Sequence, residues 1–152
     1  MKIYRFVRNQ KIPIDKNEAW KFLSDPNNLK TITPDYMGFD IIEKENTKMY
    51  SGQIIKYIVT PIFGIKMNWV TEITHVKDFE YFVDEQRFGP YKFWHHLHKF
   101  IEEEGKTKMI DEISFAYYGG FIGDLIQHSL ITKRIKDIFK YRTKIISHLF
   151  QS

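Results

Sequence analysis

Between 39 and 117 apolar and polar residues alternate at every second position, in one short segment after another. Beyond 122 the spacing of apolar residues changes to three and four. Met67, Trp69, Thr71 and Ile73 alternate with Lys66, Asn68, Val70 and Glu72. Met109, Ile113, Phe115 and Tyr117 alternate with Lys108, Glu112 and Ser114, and Asp111 falls on the apolar side. A period of two belongs to β-strands, whose side chains point to opposite faces in turn. Turn signals near Asn46-Thr47, 61–64, Lys77-Asp78, Gly89-Pro90 and Glu104-Gly105 cut the region into about six strands joined as hairpins. One face is mostly apolar and the other wet, the pattern of an antiparallel sheet covered on one side.

The cover comes from the C-terminal segment. Leu125, Ile126, Leu130, Ile131, Ile135, Ile138, Phe139, Ile145, Ile146, Leu149 and Phe150 predict a helix over 122–150. At about 1.5 Å per residue it would be ~40 Å long. So long a helix in so short a chain buries one stripe only if the sheet curls around it. At the other end, 3–12 reads as a strand. Asp15-Lys16-Asn17-Glu18 is a capping-box pattern opening a helix over 16–23, and Asp25-Pro26 starts a second, short one that ends before Thr33-Pro34. The chain is therefore read as α+β: a curved antiparallel sheet of about seven strands around a long C-terminal helix, with two short helices after strand 1. No linker or repeat divides it, so 1–152 is expected to form a single domain.

Composition narrows the chemistry. With no cysteine there is no disulfide framework, no thiolate nucleophile and no Cys-based zinc site. Thirteen Phe and nine Tyr exceed what a minimal core needs and suit a wide apolar interior. The first residues lack the apolar run of a signal peptide, and no stretch approaches the ~18 apolar residues of a membrane span. A soluble cytoplasmic protein is expected. The net charge of +4 is modest and points to no nucleic-acid partner. Lys133, Arg134, Lys136, Lys140, Arg142 and Lys144 read as the solvated face of the last helix. There is no phosphate-binding glycine loop, no nucleophile elbow and no nucleotide fingerprint, so no cofactor is expected.

The most informative stretch is Gly89-Pro90-Tyr91-Lys92-Phe93-Trp94-His95-His96-Leu97-His98-Lys99-Phe100, one turn after Phe82-Val83-Asp84-Glu85-Gln86. Pairing around Gly89-Pro90 merges Phe82, Asp84 and Gln86 with Trp94, His96, His98 and Phe100 on one face. An apolar face carrying an Asp, a Gln and two His needs partners for those groups, because buried polar groups are costly alone. A hairpin around Glu103-Glu104 sets His96 opposite Asp111 and Trp94 opposite Ile113, close enough for an imidazole–carboxylate hydrogen bond. That pair either pins sheet register and orients a ligand, or makes His96 a general base backed by Asp111. His96-x-His98 also has metal-type spacing, with Asp84 or Asp111 as a third ligand; such pairs are common, and no metal is expected.

These motifs, with Met109-x-Asp111 and Phe139-x-Tyr141-Arg142, resemble a bacterial cyclase/dehydrase-like, cell-division-inhibitor-like subgroup of the START, polyketide-cyclase and birch-pollen-allergen (SRPBCC) superfamily. The resemblance covers nearly the whole chain. It implies a helix-grip fold and a deep cavity that takes a hydrophobic or amphipathic small molecule, such as a lipid, an isoprenoid or an aromatic polyketide-like compound. It also implies a sugar-epimerase-like reductase as a partner. On that reading Asp84, Gln86, His96 and Asp111 recognise the ligand's polar end, and Trp94 and His98 bind the ligand beside them. Tyr57, Trp69, Phe115, Tyr117, Ile131, Ile135 and Ile138 line the apolar body of the cavity, and the loops 61–64 and 118–123 gate its mouth. The alternative is a dehydratase or cyclase using His96 with Asp111. A third class is an interaction module that sets the basic helix face on an anionic membrane or partner, marked by strong salt dependence.

Overall fold

The computed structural model describes residues 1–44, 48–60, 64–118 and 120–150. Strand β1 (Tyr4–Ile12) is followed by helices α1 (Lys16–Leu23) and α2 (Pro26–Leu29) and a single 3₁₀ turn, Asp35–Met37. Six strands follow: β2 (Asp40–Glu43), β3 (Gln53–Val59), β4 (Met67–Lys77), β5 (Tyr81–Phe88), β6 (Phe93–Glu103) and β7 (Lys106–Ala116). Helix α3 (Gly120–Phe150) closes the chain. The strands form one antiparallel sheet in the order β1-β7-β6-β5-β4-β3-β2. This is the α+β helix-grip arrangement. Among the described residues no helix is long and apolar enough to cross a membrane.

Local signals account for the short helices. The Asp15 carboxylate accepts from the backbone N–H groups of Asn17 (2.8 Å) and Glu18 (3.0 Å), two donors that an uncapped helix leaves unpaired. Asp25 caps α2 in the same way through Asn27, and Pro26 stands at its first position. Trp20 then carries α1 onto the sheet, packing against Phe82 and Phe100. The expected turn at Asn46-Thr47 lies outside the described residues.

One register differs from the sequence expectation, and the turn explains it. Glu104 (φ 56°) and Gly105 (φ 72°) are both left-handed, as the two central residues of a type I′ hairpin require. The hairpin therefore pairs Glu103 with Lys106, two positions beyond the expected pairing. His98 lies opposite Asp111, His96 opposite Ile113 and Trp94 opposite Phe115. A shift of two preserves every side chain's face, whereas a shift of one would invert them all. His96 thus still reaches Asp111, across a diagonal.

Candidate functional site: a buried His–Asp cluster beneath an apolar cavity

A cavity of about 170 Å³ lies between the concave sheet face and α3. Ile55, Tyr57, Val59, Trp69, Thr71 and Ile73 wall one side from β3 and β4. Ile135, Ile138, Phe139 and Arg142 come down from α3, and Leu23 and Leu29 from the short helices and Ile32 from the turn after them close it. Trp69, Tyr91 and Trp94 meet with ring centroids 4.7–5.6 Å apart. Burial raises the phenol pKa of Tyr57, with the Asp84 charge adding to it, and burial does the same for Tyr91 beside Tyr117. Both phenols remain O–H donors at neutral pH.

At the polar end stand Asp84 from β5, His96 and His98 from β6 and Asp111 from β7. His96 Nε2 lies 2.9 Å from Asp111 Oδ1, and His98 Nε2 lies 2.7 Å from Asp84 Oδ2. His98 Nδ1 is 3.0 Å from Asp111 Oδ1 but off the axis of a hydrogen bond. Trp94 Nε1–H donates to Asp84 Oδ1 at 3.3 Å. The two imidazoles lie against each other with centroids 3.6 Å apart and planes tilted by 35°, and Phe82 stacks on His98 at 4.1 Å. Asp111 is 1% exposed and His96 6%.

Two imidazoles this close cannot both carry a charge cheaply, and the surroundings separate their roles. Burial lowers the pKa of His96, the His98 charge lowers it further, and Asp84 and Asp111 only partly oppose this. Burial also disfavours charge on His98, but the Asp111 carboxylate close to Nδ1 and the hydrogen-bonded Asp84 carboxylate outweigh it and raise its pKa. Burial raises the pKa of Asp111 and Asp84 and the histidines lower it, the histidines winning at both. The cluster therefore favours positive charge at His98, between two carboxylates, over charge at His96. Beside His98 a neutral His96 donates from Nε2 to Asp111. Its Nδ1, 3.5 Å from Asp84 Oδ2, is left unprotonated.

Asp84, His96 and His98 each offer a ligand atom within 4.8 Å of the others, a donor set that fits a small N/O-binding cation. The 2.7 Å separation of His98 Nε2 from Asp84 Oδ2 is a proton-bridged distance, so a cation taking this set would displace that proton.

Five of the sequence candidates lie elsewhere. Gln86 does not face the cavity. The β5–β6 ladder ends at Glu85–His95, and beyond it Gln86 clamps the Tyr91 backbone, donating from Nε2 to its carbonyl (2.6 Å) and accepting from its N–H (3.2 Å). A Cβ at Gly89 would stand 2.5 Å from Gln86 Oε1, so the clamp and the glycine require each other. Phe115, Tyr117 and Ile131 pack with Tyr4 and Phe6 in a cluster beside the cavity, where the open edge at β1 needs filling. Asp111 sits behind the histidines and does not line the cavity. Tyr57, Trp69, Trp94, His96, His98, Asp84, Ile135 and Ile138 do line it. Of the loops expected to form a gate, 61–63 and 119 lie outside the described residues.

Arg142, expected on the solvated basic face of the last helix, is instead 7% exposed and lines the cavity. The signal was present: Ile131, Ile135, Phe139, Arg142 and Ile146 recur at spacings of four, four, three and four, and all five are buried. Gln10 and Thr143 join β1 to α3 through contacts of 3.4 Å, which sets the height of the neighbouring Arg142.

The helix-grip fold is shared with solved structures of otherwise dissimilar sequence. The Zhui aromatase/cyclase from Streptomyces sp. R1128 superposes with a TM-score of 0.76 at 8% identity, over 99% of this chain and 94% of that one. A protein of unknown function from Staphylococcus aureus gives 0.72 at 12% identity, over 99% and 98% of the two chains. Ara h 8.0201 gives 0.64 at 14% identity, over 95% and 98%. No family model and no curated protein matches the sequence.

Proposed function

We propose that the protein binds a compact, largely apolar small molecule in the cavity, with the end lined by Asp84, His96, His98 and Arg142 receiving its polar group. The observation that carries this reading is the cavity itself, apolar on its walls and polar at one end. Its size bears on the ligand class. A dry cavity of about 150 Å³ holds benzene, and sites for drug-sized ligands begin near 300 Å³. A one-ring or short branched body fits better than a long lipid chain or a multi-ring polyketide.

Native mass spectrometry of the purified protein, with extraction of any bound molecule, tests this directly. A stoichiometric small apolar compound is expected. Ile135→Phe should abolish its retention while costing less than the ~1–3 kcal/mol of overpacking a filled core. A full overpacking penalty in a protein that carries no ligand would mean that the space is closed core.

A second reading is favoured by one feature, the neutral His96 backed by a buried carboxylate, which is the arrangement of a general base. With phenylacetone as a compact carbonyl probe in D₂O, exchange of the benzylic protons, followed by NMR, should outpace buffer. His96→Gln should lose that acceleration while still binding the probe. Exchange at the buffer rate in the unmodified protein would dismiss catalysis of this kind.

A further inference from the structure

Arg142 is the group that neither the cluster nor the core explains. It is 93% removed from solvent by its 7% exposure, and it reaches the cavity from the buried stripe of α3. Its Nε has no hydrogen-bond partner, and among the described residues its guanidinium forms no ion pair. The two buried carboxylates in reach of its field are already committed, Asp84 to His98 and Trp94 and Asp111 to His96 and His98. Its contact is the face of Phe139, 4.9 Å from the guanidinium carbon, which leaves the edges of the fork open. Burial lowers its pKa, with Asp111 and Asp84 opposing, yet a guanidinium stays protonated in proteins. A buried cation without a hydrogen-bonded counter-ion is costly, and a side chain as long as Arg has the reach to turn outward.

We infer that Arg142 is the receptor for an anionic ligand group, and that the molecule bound in the cavity is a compact apolar monocarboxylic acid. This rests on the cavity reading above and names its ligand class. A guanidinium presents parallel N–H donors that match the two oxygens of a carboxylate, which then supplies the counter-charge the protein withholds. Phe139 holds the plane of the fork, so the carboxylate approaches along its edge. The aliphatic and aromatic walls bury the rest of the molecule. Asp84, which lines the cavity, is hydrogen-bonded by His98 and Trp94, and Asp111 by His96, so neither carboxylate is free to claim the guanidinium.

The test is a matched pair of probes, phenylacetate and phenylacetamide, equal in shape and differing in charge, titrated while following Trp69 and Trp94 fluorescence. Phenylacetate is expected to bind about tenfold or more tightly than the amide, as a charge-assisted pair exceeds a neutral one. Arg142→Met should erase that preference, and Arg142→Lys should restore part of it. Because an apolar replacement of an unpaired buried charge relieves desolvation, Arg142→Met without ligand should melt no lower than the parent protein. Equal affinity for the two probes, or a preference that survives Arg142→Met, overturns the assignment and leaves the cavity reading standing. If neither probe binds, both fall. A marked drop in melting temperature of ligand-free Arg142→Met would make the residue a distant counter-ion for Asp84 and Asp111, and would also overturn it.

Discussion

Asp111→Ala is expected to destabilise the protein by about 3–5 kcal/mol, the usual cost of stripping one partner from a buried charged network. Asp111 accepts from His96 and faces the His98 imidazolium, and no solvent reaches it to take over. The penalty will be blunted in one way: His98, left with Asp84 alone, can shed its proton. NMR titration should therefore show the His98 pKa falling in the variant. The pH dependence follows from the same contacts. Asp111 and Asp84 have folded pKa values below their unfolded ones, so their contribution is present above about pH 3.9 and is lost as pH falls through the folded values. His98 has a raised pKa, so its contribution is present below about pH 6.5 and is lost as pH rises through the folded value. His96 works the other way, since the neutral form is the folded one, and it offsets His98 near neutrality. In Asp111→Ala the acid side of the urea-midpoint profile should flatten. A loss below ~1 kcal/mol, with an unchanged acid limb, would show that Asp111 does not hold the cluster.

Trp20→Ala should cost a similar amount, about 3–5 kcal/mol, by leaving a cavity that the sheet cannot collapse into. The indole meets Phe100 at 5.3 Å and Phe82 at 5.9 Å, both edge-on, and Phe79 at 5.9 Å. Phe79 sits at φ 63°, a conformation uncommon for a residue with a side chain, and its packing on Trp20 helps hold it there. Phe82 in turn stacks on His98, so loss of the indole loosens one wall of the polar cluster. Urea unfolding should show a lower midpoint with an unchanged slope. Trp20→Phe, which keeps the ring packing, should lose much less. Equal loss in the two variants would mean that volume at this site matters little and that α1 is anchored chiefly by its Asp15 cap.

Alternation along β3 to β7, the three-and-four spacing after 122 and the Asp15 and Asp25 caps were enough to place the strands, the helices and their order. These signals are local, each carried by a few neighbouring residues, and the period of two or near four states directly which side is buried. The apolar-side position of Asp84, His96, His98 and Asp111 was legible for the same reason. Even the two-residue error in the β6–β7 register did no harm to that grouping, because the face of a strand repeats every second residue.

What each of those residues does was decided only when the chain folded. Gln86 shares a face with Asp84 in an ideal strand, but the β5–β6 ladder ends before it, so it clamps a turn. Phe115, Tyr117 and Ile131 are as apolar as true lining residues, and only sheet curvature put them beside the cavity. His96 and His98 are the same amino acid two positions apart, yet their pKa values move in opposite directions, since hydrogen bonding and charge at one outweigh the burial that dominates the other. Arg142 looked like one more surface cation until the packing of α3 turned it inward. Periodicity is a property of neighbours in sequence and survives in a string of letters. Burial, charge pairing and an unfilled volume depend on residues brought together from 10 to 142, and they exist only in the tertiary structure.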